Sequence, residues 1–170
     1  LLKKELEKWD ELFCDEQLLE FAKNKKDAKI AVYMPTHRDS SKAAKPPLDF
    51  ETLNAALQKI NTYLIVKFHP FVLQLYKQDG YRNYTNIFFH TPQGDIYPLL
   101  RYCDVLISDY SSVYFDFMLL NKPIIFFDYD KEEYEKNIGG FVYDYEEFTP
   151  GVKVKMQSEL VKMLQNDKLF

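Results

Sequence analysis

Short apolar runs alternate along the chain with stretches that have helical periodicity. Each run is apolar throughout instead of alternating with polar residues, a pattern typical of strands buried on both faces of a parallel sheet. Strands that alternate with helices predict an α/β domain, a Rossmann-like parallel sheet with helices on both faces. The predicted strands are KIAVYMP (29–35), TYLIVKF (62–68), NIFF (86–89), DVLIS (104–108) and PIIFF (123–127).

The stretches between these strands predict helices. Asp49 is suited to cap the first of them, because its side-chain oxygen can accept from free backbone N–H groups. Upstream of the first strand, apolar residues fall near one face of a single amphipathic helix over residues 2–23. We divide the chain into this N-terminal helical segment (1–27) and a Rossmann-like domain (28–170). The other predicted helices cover 49–60, 71–78, 95–102, 112–121, 130–136 and 156–166, while GFVYDY (140–145) is only a short apolar piece.

Polar side chains follow the predicted strands at their carboxyl ends. Ligands bind outside these ends in open parallel sheets, so residues placed there are candidates for chemistry. All 3 histidines lie at such positions: His37, His69 and His90. His69 is the best candidate for a general base, although packing or a backbone contact would explain it equally well. Arg38 and Lys67 are natural partners for phosphate, or simply surface charges.

The stretch SDYSSVYFD (108–116) is the densest polar group in the chain and lies between two apolar runs. The pattern indicates that a strand ends and a helix begins inside it. A helix that starts near Ser111 or Ser112 presents free N–H groups and the positive end of its dipole, which favour an anion such as phosphate. Asp116, one turn further along, could accept from ribose hydroxyls. The alternative left open is that one serine only caps the helix and that Asp116 is a solvated carboxylate.

Composition and motifs exclude several classes of protein. With 46% hydrophobic and 28% charged residues the chain is globular, and its 170 residues suffice for one domain with a real core. A net charge of −4 gives no basic field, so we expect no nucleic-acid partner. Neither a GxGxxG fingerprint nor a P-loop occurs, and Cys14 and Cys103 match no metal spacing. IIFFDYD ends in Asp-x-Asp, as in some phosphatases and metal-dependent glycosyltransferases, but Lys131 and Glu132 follow it, and we expect no metal site.

The hydropathy of the chain and its first residues bear on where in the cell the protein is expected. No apolar run approaches the ~20 residues that span a bilayer. The chain opens LLKKELEKW, without a methionine and with nothing like a signal peptide. We therefore expect a fragment of a longer, reduced cytoplasmic protein.

Several segments together resemble the CDP-glycerol glycerophosphotransferases, a family that includes the teichoic-acid-type polymerases and primases of bacterial cell envelopes. The resemblance covers most of residues 30–151, and its order and spacing make it specific. His37 departs from the pattern, since the family usually has Tyr or Trp before the arginine. The segments that carry the resemblance are YMPTHRD, FDFETL, VKFHP and DIYPLLRYCDVLISDYSSVYFDFMLLNKPIIFFDYDKEEYEKNIGGFVYDYEEFTPG.

The resemblance implies the C-terminal, nucleotide-binding half of a GT-B-type transferase that needs neither a metal nor another cofactor. Glycerol phosphate, or ribitol phosphate, would pass from a CDP-activated donor such as CDP-glycerol to a hydroxyl of a teichoic acid or capsule polymer, with release of CMP. Carried onto matching positions, the resemblance implies that His69 is catalytic. It also implies that Arg38, Ser111, Ser112 and Asp116 contact the donor and that Asp109 positions their loop, and Lys67 completes the predicted donor-binding set as a further positive charge.

The resemblance also implies an absent N-terminal half that binds the acceptor. We therefore expect this chain alone to bind nucleotide weakly and not to turn over. A lipid-linked acceptor would place the parent protein at the inner face of the bacterial membrane, as a peripheral protein. Two alternatives stay open: a GT-B glycosyltransferase or epimerase-like domain that uses a UDP- or CMP-sugar, and a non-catalytic Rossmann-like module.

Overall fold

A six-stranded parallel sheet forms the centre of the part of the chain that the computed structural model describes, residues 2–38, 45–78, 82–91 and 94–170. The strand order is β3-β2-β1-β4-β5-β6, and all neighbouring strands are parallel. The order reverses between β1 and β4, as in Rossmann-type sheets, which confirms the predicted fold class. The strands are β1 Lys29–Tyr33, β2 Thr62–Val66, β3 Ile87–Phe89, β4 Val105–Ser108, β5 Ile124–Phe127 and β6 Val152–Val154.

Helices cover both faces of this sheet. Apolar residues of α3, α4 and α9 build the core on one face, and those of α2, α5 and α6 build it on the other. Asp49 caps α3 as predicted, since its Oδ1 accepts from the N–H groups of Glu51 and Thr52 at 3.0 and 3.3 Å. The helices are α1 Leu2–Phe13, α2 Glu16–Asn24, α3 Phe50–Lys59, α4 Pro70–Gln78, α5 Tyr97–Leu100, α6 Val113–Met118, α7 Lys131–Ile138, α8 Tyr145–Phe148 and α9 Gln157–Leu164, with a 3₁₀ turn at Asp167–Leu169.

The prediction of one helix over residues 2–23 is wrong, because the segment forms two helices. Asp15 caps α2 by accepting from the Leu18 N–H at 3.0 Å, and this local bond stops the first helix and starts the second. Trp9 and Phe13, which the predicted apolar stripe would bury, are exposed. The second helix buries Leu18, Leu19 and Ala22 in the same core as β1.

Two short elements near the C-terminus were missed. The four residues of α8 follow the capping residue Asp144, inside a piece predicted only as apolar. The three residues of β6 are too few and too exposed for a clear hydrophobic pattern. Gly151 lets β6 pair with β5, because a Cβ there would lie 2.5 Å from the carbonyl oxygen of Ile124.

None of the helices within the described residues has the length and apolar character that crossing a bilayer requires.

Candidate functional site

The loops that follow β1 and β4 are joined at the point where the strand order reverses. Asp109 comes directly after β4 and is fully buried. Its Oδ1 accepts from the backbone N–H of Thr36 at 2.8 Å, from the Thr36 hydroxyl at 2.7 Å and from its neighbour Tyr110 N–H at 2.6 Å. Asp109 therefore joins the loop after β4 to the loop after β1.

Arg38 lies in the same loop as Thr36 and is only 6% exposed. Its Nε and Nη2 donate to the two carboxylate oxygens of Asp130 at 2.8 and 2.9 Å, and Nη2 also lies 2.9 Å from Asp109 Oδ2. Nη1 donates to the Thr36 carbonyl at 2.5 Å. Burial works against the charged form, but the two carboxylates outweigh it and raise the pKa of Arg38. The predicted contact of Arg38 with a donor phosphate stays a prediction, since in this structure its N–H groups point at protein oxygens.

Asp130 was not among the predicted site residues. It follows β5, and besides Arg38 it accepts from the Tyr110 hydroxyl at 3.0 Å. Burial and the charge of Asp130 together raise the pKa of Tyr110. The signal that could have identified Asp130 was its position in the loop after a strand, because the Asp-x-Asp pattern was weighed only as a metal motif. Among the residues that the structure describes, no group of three or more His, Cys, Asp or Glu side chains could hold a metal ion.

The serine pair opens α6 but does not cap it with a side chain. Ser112 occupies the N-cap position with helical backbone angles, and its side chain makes no capping hydrogen bond. Among the described residues, neither the Ser111 nor the Ser112 hydroxyl makes a hydrogen bond, and Ser112 is exposed. Since α6 has only 6 residues, its dipole is small, and the donors available to an anion are chiefly these hydroxyls and the first backbone N–H groups.

Asp116 lies one turn into α6 and is exposed. Its Oδ2 accepts from the hydroxyl of Tyr97 at 2.9 Å, and this bond is the main reason that the pKa of Tyr97 is raised. Tyr97 belongs to α5, the helix that follows β3, and is half exposed. The sequence did not single out Tyr97, because the pairing depends on how α5 and α6 pack.

His69 follows β2 and lies immediately before α4. Its carbonyl accepts from the Leu73 N–H at 3.1 Å, and its Nδ1 accepts from the Phe71 N–H at 3.4 Å. A neutral imidazole that accepts at Nδ1 carries its proton on Nε2. The exposed ring of His69 is stacked on His37, with centroids 4.3 Å apart and an angle of 27° between the planes. The contact with the Phe71 N–H therefore favours the tautomer that leaves Nε2 available as a donor.

Two further polar residues lie at the neighbouring strand ends. Lys67 is half-buried, and its Nζ lies 3.4 Å from the Phe68 carbonyl. His90 follows β3, is 1% exposed, and has no hydrogen-bond partner on either ring nitrogen within the described part of the chain. Burial and the charge of Lys67 lower the pKa of His90.

The structure places the predicted site residues at one edge of the sheet, in two groups. Asp109, the serines and Asp116 follow β4, while Lys67 and His69 follow β2. Between these strands lies β1, and the loop after it contacts both groups, through Thr36 and Arg38 on one side and His37 on the other. A cavity of about 300 Å³ beside Ser112, lined mainly by aromatic residues of α6, α7, α8 and the loops next to them, was not predicted.

A comparison with known protein families identifies the family of this chain. The model for "CDP-Glycerol:Poly(glycerophosphate) glycerophosphotransferase" matches residues 10–169. The chain belongs to this family. It is 37% identical over 152 residues to the teichoic acid poly(glycerol phosphate) polymerase of Bacillus spizizenii, covering 85% of this chain and 38% of that protein. It is 35% identical to the teichoic acid poly(ribitol-phosphate) polymerase of the same organism, covering 93% of this chain and 27% of that protein.

Solved structures agree with the family assignment. The wall teichoic acid polymerase TagF, in one variant, superposes with a TM-score of 0.74 at 30% identity, over 91% of this chain and 38% of that one. A TagF variant soaked with CDPG superposes with a TM-score of 0.67 at 30% identity, over 91% of this chain and 40% of that one. A UDP-GlcNAc 2-epimerase from Methanocaldococcus jannaschii shares only the fold, at 15% identity and a TM-score of 0.55 over 92% of this chain and 44% of that one. The chain thus spans less than half the length of each of these proteins.

Proposed function

We propose that this chain is the donor-binding unit of an enzyme that transfers glycerol phosphate, or a related alcohol phosphate, from a CDP-activated donor to a hydroxyl of a cell-envelope polymer. One observation supports the proposal most directly. The hydroxyls of Ser111 and Ser112 make no hydrogen bond among the described residues, and they lie one turn from the exposed Asp116, at the carboxyl ends of the strands where the strand order reverses. Hydroxyl and N–H donors there suit a pyrophosphate, and a carboxylate one turn away suits ribose hydroxyls. Membership of the family supports a CDP-linked donor.

The chemistry of the proposed transfer needs positioning and charge neutralisation more than covalent help. The acceptor oxygen forms a bond to the alcohol-bearing phosphorus, the bond from that phosphorus to CMP breaks, and the acceptor hydroxyl loses a proton. The hydroxyls of Ser111 and Ser112 together with the ammonium of Lys67 would counter negative charge as CMP leaves. Arg38 and Asp109 would act by holding the loops that carry these groups.

His69 is the proposed catalytic residue, and its geometry favours a particular role. With Nδ1 accepting from the Phe71 N–H, the Nε2–H can donate to a phosphate oxygen or to the departing CMP. Action as a general base at Nε2 requires the proton to move to Nδ1 and the bond from Phe71 to break. We therefore propose that His69 stabilises charge on the phosphates, with the base supplied from elsewhere in the enzyme.

The proposal also concerns the acceptor and the cellular location of the parent protein. Relatives named as teichoic acid polymerases support a polymer acceptor, and a lipid-linked acceptor would bring the parent protein to the inner face of the membrane. Since this chain spans 38% of the first of these relatives, we expect it to bind nucleotide and to lack polymerase activity by itself. Polymer formed by the chain alone would contradict that expectation.

Calorimetric titration of the chain with CDP-glycerol, CDP, CMP and UDP tests the donor class. We expect CDP-glycerol and CDP to bind and UDP to bind more weakly, and we expect a Ser111→Ala/Ser112→Ala variant to lose binding of both cytidine diphosphates. A preference for UDP would overturn the donor and favour a UDP-sugar enzyme. Absence of binding to any nucleotide, both by the chain and by the full-length protein, would favour a non-catalytic module.

A further inference from the structure

We propose that His37 is a positioning residue that fixes the orientation of the His69 ring. This inference rests on the proposed function, in which His69 donates to the phosphates, and extends it to a residue outside the predicted donor-binding set. The two rings come from neighbouring parallel strands, whose pairing aligns Tyr33 of β1 with Val66 of β2. His37 follows the first strand end by four residues and His69 follows the second by three.

The contact between the rings is face to face. Their centroids are 4.3 Å apart and their planes differ by 27°, a stacked contact slightly closer than the ~4.5–7 Å usual between aromatic rings. His37 also meets the ring of Phe71 edge-on, with centroids 6.1 Å apart and planes at 84°. Since Phe71 supplies the N–H that bonds to His69 Nδ1, His37 contacts the ring of His69 and also the residue that sets its tautomer.

An exposed histidine needs such a contact to hold one orientation. The backbone of His69 is fixed by the start of α4, but the long 3.4 Å bond to Nδ1 alone restrains its ring weakly. A ring packed against one face limits rotation about the side-chain torsions of His69 and so restricts where its Nε2 atom can lie. Displacement of a catalytic group by about 1 Å can cost a hundredfold in rate, so this restraint has a kinetic consequence.

His37 can act as a support because its own backbone is held on both sides. Thr36, immediately before it, is bonded to the buried Asp109 through both its N–H and its hydroxyl. Arg38, immediately after it, is held by Asp130 and Asp109. The buried ion-pair network thus reaches His69 through the ring of His37, which links the loops after β1, β2, β4 and β5.

The type of residue needed at position 37 follows from this geometry. The stack requires a flat ring and not an imidazole nitrogen. We therefore expect another aromatic residue at position 37 to preserve the orientation of His69, and a small residue to lose it. His37→Phe keeps the ring face, and His37→Ala removes it. The pair of variants separates positioning from any contribution of the imidazole nitrogens.

Two measurements test the proposal. In the full-length protein we expect His37→Ala to lower kcat about tenfold or more with little change in KM for the donor, and His37→Phe to regain most of the rate, within about threefold of the original. In the same proteins labelled at histidine, we expect ¹H–¹³C spectra to show the His69 ring signals moved downfield by His37→Ala and kept near their original position by His37→Phe. The signals of the buried His90 should not move, which shows that the variants are folded.

The outcomes are distinguishable from a failure of the proposed function. Unmoved His69 signals in His37→Ala would disprove the stack, and moved signals with an unchanged kcat would disprove its role in positioning. A His37→Phe variant as slow as His37→Ala would show that the ring face is not what matters. If His69→Ala itself retained full activity, the catalytic assignment of His69 would fail, whatever His37 does.

Discussion

The guanidinium of Arg38 and the carboxylate of Asp130 form a two-point ion pair between residues 92 positions apart in the chain, with N–O distances of 2.8 and 2.9 Å. The Asp130 side chain is 13% exposed and that of Arg38 6%, so the pair is largely shielded from water. Its planar geometry suits Arg and not Lys, because only the guanidinium presents two parallel donors. The pair joins the loop after β1 to the loop after β5.

Loss of this pair should destabilise the fold. Asp130→Asn leaves a buried guanidinium with the charge of Asp109 alone, and we expect the free energy of unfolding to fall by about 2–4 kcal/mol. Urea denaturation at neutral pH measures this. Glu132→Gln, which removes an exposed carboxylate two residues away, is the matched control and should change stability by less than about 0.5 kcal/mol. Equal effects of the two substitutions would contradict the structural role of the pair.

The buried His90 should make the stability depend on pH. Its pKa in the folded state is lowered by burial and by Lys67, against the smaller effects of Asp15 and Asp95, and its ring nitrogens have no hydrogen-bond partner within the described residues. His90 therefore binds a proton more readily in the unfolded chain than in the folded one. The free energy of unfolding is highest above the ordinary histidine pKa of about 6.5, and it decreases as the pH falls below that value.

Replacement of His90 by an apolar residue tests whether this histidine causes the decrease in stability at low pH. We expect His90→Leu to flatten the fall in the free energy of unfolding between about pH 7 and pH 5, by at most about 1.4 kcal/mol for each pH unit. Urea titrations at several pH values measure the slope. A variant with the same slope as the original protein would show that other groups cause the acid sensitivity.

Removal of the His69 imidazole should affect turnover and spare binding. In the full-length protein we expect His69→Ala to lower kcat about a hundredfold or more and to leave the dissociation constant for the donor nearly unchanged. Steady-state kinetics and calorimetry on the same preparation separate the two quantities. Full activity of the variant would exclude a catalytic role, and a large loss of affinity would make His69 a binding residue.

Asp116 should contribute to nucleotide binding. We expect Asp116→Asn to weaken CDP binding about tenfold, because a charged acceptor for hydroxyl groups is lost. Tyr97→Phe keeps the carboxylate and removes its 2.9 Å partner, so its effect should be smaller. Glu133→Gln on α7 is the control for an exposed carboxylate. Calorimetric binding of CDP that Asp116→Asn leaves intact would assign Asp116 to the solvated surface.

Donor binding should not depend on a metal ion. The proposal assigns charge neutralisation to hydroxyls, backbone N–H groups and Lys67, so a chelator has nothing to remove. We expect EDTA to leave the affinity for CDP-glycerol within about twofold of its value without chelator. A large loss that added magnesium or manganese restores would overturn this part of the proposal.

Local patterns carried much of the prediction. The strands β1 to β5 and the cap at Asp49 were predicted because continuous apolar runs and capping residues act within a few positions of the chain. The candidate residues followed from one general property, that parallel strands expose their carboxyl ends at the same edge. Family membership was visible in the order and spacing of motifs.

By itself, the sequence determined the fold class, the strands β1 to β5 and the end of the sheet at which the candidate residues lie, because these depend on hydrophobic periodicity and on short-range hydrogen bonds. Only the tertiary structure decided the partners: Asp130 for Arg38, Tyr97 for Asp116 and His37 for His69. Each of these contacts joins loops or helices that follow different strands, and their meeting depends on strand order and register, which no local pattern encodes. The division of residues 2–24 into two helices was decided in part by packing, since α2 docks into the core while Trp9 and Phe13 stay exposed.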